Sequence, residues 1–269
     1  MRLRQLWSFL VRDYRTEISY RFSFILNLSG IFFSAFTFFF ISELIGEVAN
    51  PYLQDYDGDY FSFVIIGIAF SGYFGVGLTG FSRALREAQT TGTLEAMVMT
   101  PLPLSTLVIG SALWSYVMTT LRVFVFLLLG VLIFTLDLSG ANYAAALLVL
   151  ILSIIAFASI GIIAAGIIMI IKRGEPLTSL FGAFANLVGG IYYPVAILPQ
   201  GLQFVAKLIP ITYAVRAMRL ALLAGASWSE ILPDIVALLI FIVILFPLAL
   251  LVFHRAVERA RIDGSLAHY

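Results

Sequence analysis

Four polar residues of one apolar stretch follow a helical spacing. Ser111, Ser115, Thr119 and Arg122 recur every three or four positions, so in a helix they share one face. An arginine is costly within a lipid-spanning helix, and such a residue usually faces the bundle interior or a water-filled cavity. Two interpretations stay open: these side chains line or gate a pathway for a transported molecule, or they bond neighbouring helices while the arginine reaches towards water.

Groups suited to catalysis are nearly absent from the rest of the chain. The two histidines, His254 and His268, form no zinc-binding motif, and no G-x-x-x-x-G-K-[ST] loop for ATP phosphates occurs. Asp55, Asp57 and Asp59 resemble part of a calcium loop, but the distal glutamate is missing, which favours a solvated outer loop. The sequence therefore predicts no enzyme activity and no metal or other cofactor in this chain.

The composition identifies the elements that must carry these residues. Of the 269 residues, 61% are hydrophobic and 12% are charged, whereas a soluble domain is about half apolar and about a quarter charged. A net charge of +1 leaves no basic surface for nucleic acid, and the absence of cysteine excludes disulfides. Because only helices satisfy their backbone amides within one continuous apolar segment in lipid, the sequence predicts an all-α integral membrane protein.

Six apolar stretches meet or approach the roughly 20 residues that an α-helix needs to cross a bilayer. They lie at 22–41, 61–81, 104–136, 144–171, 177–198 and 231–253. Residues 1–21 differ, because apolar side chains recur at helical spacing there while arginines occupy the other face, which predicts an amphipathic helix in the membrane interface. The chain is thus one transmembrane domain, with this interfacial helix, a six-span bundle at 22–253 and a tail at 254–269.

The charged residues between the stretches predict the topology. Most of the 16 basic residues precede the first stretch or follow the second, fourth and sixth, while the loop after the first stretch is acidic. Lys207, Arg216 and Arg219 are the basic residues on the other side. By the positive-inside rule, both termini are predicted to be cytoplasmic in the plasma (inner) membrane.

Small residues at helical spacing predict close packing of two stretches. One set lies between positions 67 and 79 of the second stretch, and Gly182, Asn186 and Gly190 form another on the fifth. Small side chains let helices approach closely, and an asparagine can hydrogen-bond across the pair. Packing within the chain and packing between subunits both remain open.

The segment after the fifth stretch is apolar but interrupted by proline. Pro194, Pro199 and Pro210 prevent one straight helix, so we expect two short helices that dip back into the outer leaflet. Irregular backbone at that depth must be buried in protein or line a cavity. Tyr192 and Tyr193 are accordingly predicted to lie near the exit of a pathway.

Two segments carry a recognisable order of motifs. They read REAQTTGTLEAMVMTPLPLSTLVIG, before the third span, and YYPVAILPQGLQFVAKLIPITYAVRAMRLALLAG, after the fifth. Both resemble the transmembrane subunits of type-2 ABC exporters, which include drug, glycolipid and polysaccharide exporters. The family's G-T-L-E stretch and T-P-L region, which mark a cytoplasmic coupling helix and the start of the third span, correspond to Gly92, Thr93, Leu94, Glu95, Thr100, Pro101 and Leu102. Its L-P pair, later proline and following arginine correspond to Leu198, Pro199, Pro210 and Arg219.

The resemblance implies a permease that docks on a separate ATPase, which would bind ATP and Mg²⁺. The residues expected to couple the two proteins are Arg83, Arg86, Glu87, Gly92, Thr93, Leu94 and Glu95. The implied assembly holds two permease chains, as a homodimer or with a related permease, and two ATPase subunits in membrane lipid.

The predicted function is ATP-driven export of a hydrophobic or amphiphilic molecule, such as a drug, lipid or glycolipid, from the cytoplasm or inner leaflet. A polysaccharide exporter and an ATP-independent secondary carrier are the alternatives. The carrier is disfavoured because no internal repeat is apparent and because every acidic residue is expected in or beside a loop.

Overall fold

The described part of the chain is helical throughout. A computed structural model describes residues 3–19, 21–56, 59–90, 104–134, 136–171 and 175–262. Every regular element in these ranges is an α-helix or a 3₁₀ turn, which confirms the all-α prediction. The α-helices are α1 (Leu3–Ser19), α2 (Arg21–Ala49), α3 (Tyr60–Thr90), α4 (Leu104–Ile133), α5 (Tyr143–Ile171), α6 (Glu175–Val188), α7 (Gln200–Ala206), α8 (Pro210–Leu222) and α9 (Trp228–Ile262).

Among the described residues, five helices are long and apolar enough to cross a membrane. They are α2, α3, α4, α5 and α9, and they correspond to the predicted spans one to four and six. These helices support the prediction of an integral membrane protein. Capping side chains fix two of their starts: Asp59 accepts the amide of Ser62 at α3, and the Ser227 amide donates to Glu230 at α9.

The fifth predicted span, at 177–198, is wrong as one continuous helix. Helix α6 ends at Val188 and has 14 residues, which gives about 21 Å against the roughly 30 Å of hydrocarbon. The chain then turns through Gly189 and Gly190, and Gly190 has a φ of 80°, a conformation that glycine adopts without steric cost. A six-span count therefore stays a prediction.

Helix α1 packs along the first turns of α4. Phe9 is buried, and a Cβ on Gly110 of α4 would lie 2.6 Å from its ring, so the absence of a side chain there lets the two helices touch. Tyr14 meets Trp114 edge to face with ring centroids 6.1 Å apart. Trp7 remains exposed. Helix α1 is therefore attached to the bundle through Phe9 and Tyr14, while its location in the membrane interface stays a prediction.

The closest crossing of two spans lies between α3 and α5. A Cβ on Gly161 would overlap the carbonyl oxygen of Gly77, so the two backbones touch directly. The small residues predicted at 67–79 are only partly involved. Gly67 lies directly against Arg219 and Ile191, but a Cβ on Gly75 would meet nothing within 4 Å. The tight contact thus uses glycines that the four-residue spacing did not identify.

Two short helices follow the proline-rich turn, while their predicted return into the outer leaflet stays a prediction. A 3₁₀ turn at Val195–Ile197 precedes α7, and Gln203 ties the two together because its Nε2 donates to the carbonyls of Ala196 and Leu198. Helix α8 begins at Pro210, a position where the missing amide costs no helical hydrogen bond. One face of α8 is buried against α3, α5 and α9.

Candidate functional site

The polar stripe of α4 borders a cavity of about 350 Å³, here called the inner cavity. Ser115, Thr119 and Arg122 line it, together with Glu17 of α1 and Arg83 of α3. Its apolar lining comes from residues of α2, α3 and α4: Ile31, Val76, Trp114, Met118 and Leu121. Three of the four stripe residues therefore meet in one space, while their role in transport stays a prediction.

The stripe presents an uncompensated charge to the inner cavity. Thr119 is buried and its hydroxyl donates to the carbonyl of Ser115 at 2.8 Å, so it is held within its own helix. Arg122 is exposed, and no acceptor for its guanidinium lies in the part of the chain that the structure describes. Two arginines and one glutamate, Glu17, surround the cavity. Ser111 lies one turn earlier on α4, and its side chain is outside the described set.

A second, larger space of about 860 Å³ lies at the opposite end of α3 and is here called the outer cleft. Its walls come from the 3₁₀ segments before α3, the turn after α6, helix α8 and the start of α9. Three tyrosines and five charged residues contribute to the lining: Tyr52, Tyr56, Tyr213, Asp55, Lys207, Arg216, Arg219 and Glu230. The Phe63 region and Arg83 are about 30 Å apart along α3, so the two spaces are well separated.

A completely buried arginine joins three elements beside the outer cleft. Arg219 of α8 is 2% exposed, and its Nε donates to the carbonyl of Phe63 on α3 at 2.8 Å. Its Nη1 and Nη2 donate at 2.6 Å to the carbonyls of Gly190 and Ile191 in the turn after α6. The guanidinium also lies 3.3 Å from the centre of the Phe63 ring. A Cβ on Gly67 would overlap both Arg219 and Ile191, so only glycine fits this crossing.

An ion pair lies behind the outer cleft. Arg216 of α8 donates from Nε to Oδ2 of Asp234 at 3.0 Å, and Asp234 is 0% exposed within α9. The prediction that every acidic residue lies in or beside a loop is therefore wrong. Burial of this carboxylate is tolerated because a guanidinium neutralises it. An acid just inside the sixth stretch, with two arginines on the preceding segment, was the signal that could have identified the pair.

The tyrosines of the outer cleft differ from those that the sequence singled out. Tyr192 stacks on Phe38 of α2 with ring centroids 5.9 Å apart, and the hydroxyl of Tyr193 donates to the carbonyl of Leu187. Neither belongs to the lining of the outer cleft. Tyr56 does, and burial raises its pKa above 10, while nearby Arg219 and Arg216 oppose that shift, so its hydroxyl stays protonated at pH 7.

Three of the predicted coupling residues lie within the described ranges and four lie outside them. Arg83, Arg86 and Glu87 lie on the last turns of α3, and Arg83 also lines the inner cavity. The others, Gly92, Thr93, Leu94 and Glu95, lie outside the described residues. One helix thus runs from the wall of the inner cavity directly to the segment predicted to meet an ATPase.

The residues predicted for subunit packing contact their own chain. A Cβ on Gly182 would lie 3.1 Å from Leu78 of α3, and the carbonyl of Gly190 is bound by Arg219. Gly190 lies beyond the end of α6, so it does not share a helical face with the other two. The side-chain oxygen of Asn186 is buried without a donor among the described residues. A role for these positions between subunits stays a prediction.

Comparison with known proteins gives one family. No curated protein matches the chain. The sequence model described as ABC-2 type transporter matches residues 4–223, a range that contains the whole lining of the inner cavity and most of that of the outer cleft. Because the match covers well over half of the chain, the protein belongs to the ABC-2 type transporter family, whose membrane domains are transport permeases rather than catalytic domains.

Proposed function

We propose that this chain is the permease of an ATP-driven exporter that moves a hydrophobic or amphiphilic molecule out of the cytoplasm or inner leaflet. It works as a homodimer with two copies of a separate ATPase, which binds ATP and Mg²⁺. The observation that carries the proposal is the inner cavity. It joins an unpaired arginine on a membrane-crossing helix to an apolar wall, and that combination suits a molecule with one polar and one apolar part.

The exposure of Arg122 supports a dimer. In the single chain this arginine is exposed on α4, within the segment Ala112–Ile133 that is apolar enough to span a membrane. A guanidinium that faces lipid at that depth is costly. A second permease chain placed over this face would enclose Arg122 in a shared, hydrated pathway.

The membrane placement follows from the charge distribution. Both termini face the cytoplasm, α1 lies in the inner interface, and α6 completes a sixth span with the turn that follows it. Helices α7 and α8 dip into the outer leaflet beside the outer cleft. The buried face of α8 and the carbonyls satisfied by Arg219 support this placement, because irregular backbone in a membrane needs partners within the protein.

The proposal is tested at Arg122. In the permease reconstituted with its ATPase, Arg122→Gln should reduce substrate-stimulated ATP hydrolysis and export, while the variant assembles and melts as the unsubstituted protein does. Arg255→Gln is the matched control, because Arg255 is also exposed but lies near the far end of α9, outside both cavities. Normal export by a well-assembled Arg122→Gln protein would contradict a role of Arg122 in the transport pathway.

Coupling to the ATPase is tested at the end of α3. Glu87→Arg and Glu95→Arg should weaken copurification of the ATPase or leave its hydrolysis unresponsive to substrate, because a like-charge contact at an interface costs several kcal/mol. Glu43→Arg, at the opposite end of the bundle, should do neither. Unchanged ATPase binding and unchanged export in both variants would instead favour the secondary carrier. The purified chain alone should hydrolyse no ATP.

Export of a polysaccharide is the second candidate, and one observation favours it. The outer cleft combines Tyr52, Tyr56 and Tyr213 with charged groups, a lining that can stack on and hydrogen-bond a sugar. Stimulation of the ATPase by oligosaccharides but not by amphiphiles would select this candidate. Stimulation by amphiphiles alone would exclude it.

A further inference from the structure

The guanidinium of Arg216 is bound through Nε, while its two terminal nitrogens have no partner among the described residues. Its Nε is bound to Asp234, which is fully buried, while the side chain is 48% exposed and lines the outer cleft. No acceptor for Nη1 or Nη2 is present in the described ranges. A guanidinium presents its donors in a rigid fork that matches the oxygens of a phosphate or carboxylate. Asp234 therefore acts as a positioning residue that aims this fork at the cleft.

The lining of the outer cleft contains three basic residues, Lys207, Arg216 and Arg219, and two acidic residues, Asp55 and Glu230. Asp234 is the carboxylate in contact with these arginines, and it binds Arg216. Among the described residues, Arg219 is bound only by uncharged backbone carbonyls. Among the acids of the lining, Glu230 is engaged by the amide and hydroxyl of Ser227 and Asp55 is exposed. The anion-binding capacity of the cleft therefore lies in the free donors of Arg216 rather than in its total charge.

We propose that the outer cleft binds an anionic, phosphate-type headgroup, with Arg216 and Tyr56 as donors. The hydroxyl of Tyr56 has no partner among the described residues and lines the same cleft. The volume of about 860 Å³ lies within the range of small-molecule sites. The lining of the inner cavity likewise contains more basic than acidic residues, with two arginines and one glutamate. This inference rests on the proposed function where it takes the headgroup to be that of the exported amphiphile.

Binding is measured on the purified, full-length permease in dodecyl maltoside, without ATPase or nucleotide. Three probes separate the sources of the phosphate: phosphatidylglycerol, a diacylglycerol with the same tails, and glycerol phosphate. Native mass spectrometry or thermophoresis should show phosphatidylglycerol binding at least about 10-fold tighter than diacylglycerol, since a hydrogen bond to a charged group contributes that much or more. Glycerol phosphate that binds as tightly as the lipid would assign the site to a soluble phosphate ester, and binding of the lipid alone would assign it to a headgroup.

Two variants probe the proposed donors, and Tyr56→Phe keeps the test independent of folding. Arg216→Gln should abolish the preference for the anionic lipid, but it leaves Asp234 without its partner. Tyr56→Phe leaves that pair intact and should weaken the binding of phosphatidylglycerol by about 10-fold. Arg255→Gln, at the other end of α9, should bind as the unsubstituted protein does. The proposal would be overturned by equal affinity for diacylglycerol and phosphatidylglycerol. It would also be overturned by an unchanged affinity of the Tyr56→Phe protein for phosphatidylglycerol, or by tighter binding of an uncharged oligosaccharide.

A failure of the anion-binding proposal can be distinguished from a failure of the proposed exporter function. The binding measurement involves neither ATP hydrolysis nor export, and its variants lie outside the inner cavity and the coupling segment. An outer cleft with no anion preference, together with export that depends on Arg122, would leave the exporter standing. An anion site in a chain that neither binds an ATPase nor exports would remove the proposed function alone.

Discussion

Replacing Arg219 by methionine keeps an apolar stem but removes the donors that join α8 to the turn after α6. The carbonyls of Gly190 and Ile191 then lose their partners, and each unsatisfied buried acceptor costs about 1–3 kcal/mol. The Phe63 carbonyl lies within α3 and keeps its helical bond. Removing a desolvated charge offsets part of the loss. We expect the free energy of unfolding to fall by about 2–4 kcal/mol, roughly a 30- to 700-fold change in the unfolding equilibrium.

Reversible unfolding in mixed micelles, followed by circular dichroism, measures this loss. Arg219→Lys should be intermediate, because one ammonium group cannot reproduce a fork that reaches three carbonyls. Arg255→Met, at an exposed position outside the outer cleft, should change the stability by no more than about 0.5 kcal/mol. An Arg219→Met protein as stable as the unsubstituted chain would refute the reasoning. It would mean that the cost of burying this charge equals everything its hydrogen bonds contribute.

Two further predictions concern packing and topology. Gly161→Ala should destabilise the bundle by about 1–3 kcal/mol or more, because its Cβ would overlap the Gly77 backbone. Gly75→Ala, whose Cβ would meet nothing within 4 Å, should be neutral or slightly stabilising in the same unfolding measurement. Equal effects of the two substitutions would contradict the close crossing. In this cysteine-free chain, single cysteines at Asp55 and Ser139 should react with a membrane-impermeant maleimide from outside, and one at Arg86 only after the membrane is opened. Labelling of the Arg86 position from outside would invert the predicted topology.

The sequence was sufficient for the five long helices and for one face of α4. The length of an apolar run and the spacing of polar residues within it are local properties, and both the hydrophobic requirement of a span and the helical repeat act locally. The predicted stretches at 61–81 and 144–171 accordingly lie within α3 and α5. The stripe of Ser115, Thr119 and Arg122 lines one cavity because helical geometry had already placed these residues on one side.

The tertiary structure decided what depends on contacts between distant segments. Helix α6 ends at Val188, the turn at Gly190 that follows is held by Arg219, and that arginine also binds Phe63, 156 positions away in the chain. The burial of Asp234 depends in the same way on Arg216 of another helix. Hydropathy reports the average cost of placing a residue in lipid, whereas a buried charge is tolerated only when a specific partner is brought to it. The apolar runs therefore predicted the helices, and the packing of α8 against α3, α9 and the Gly190 turn created the outer cleft.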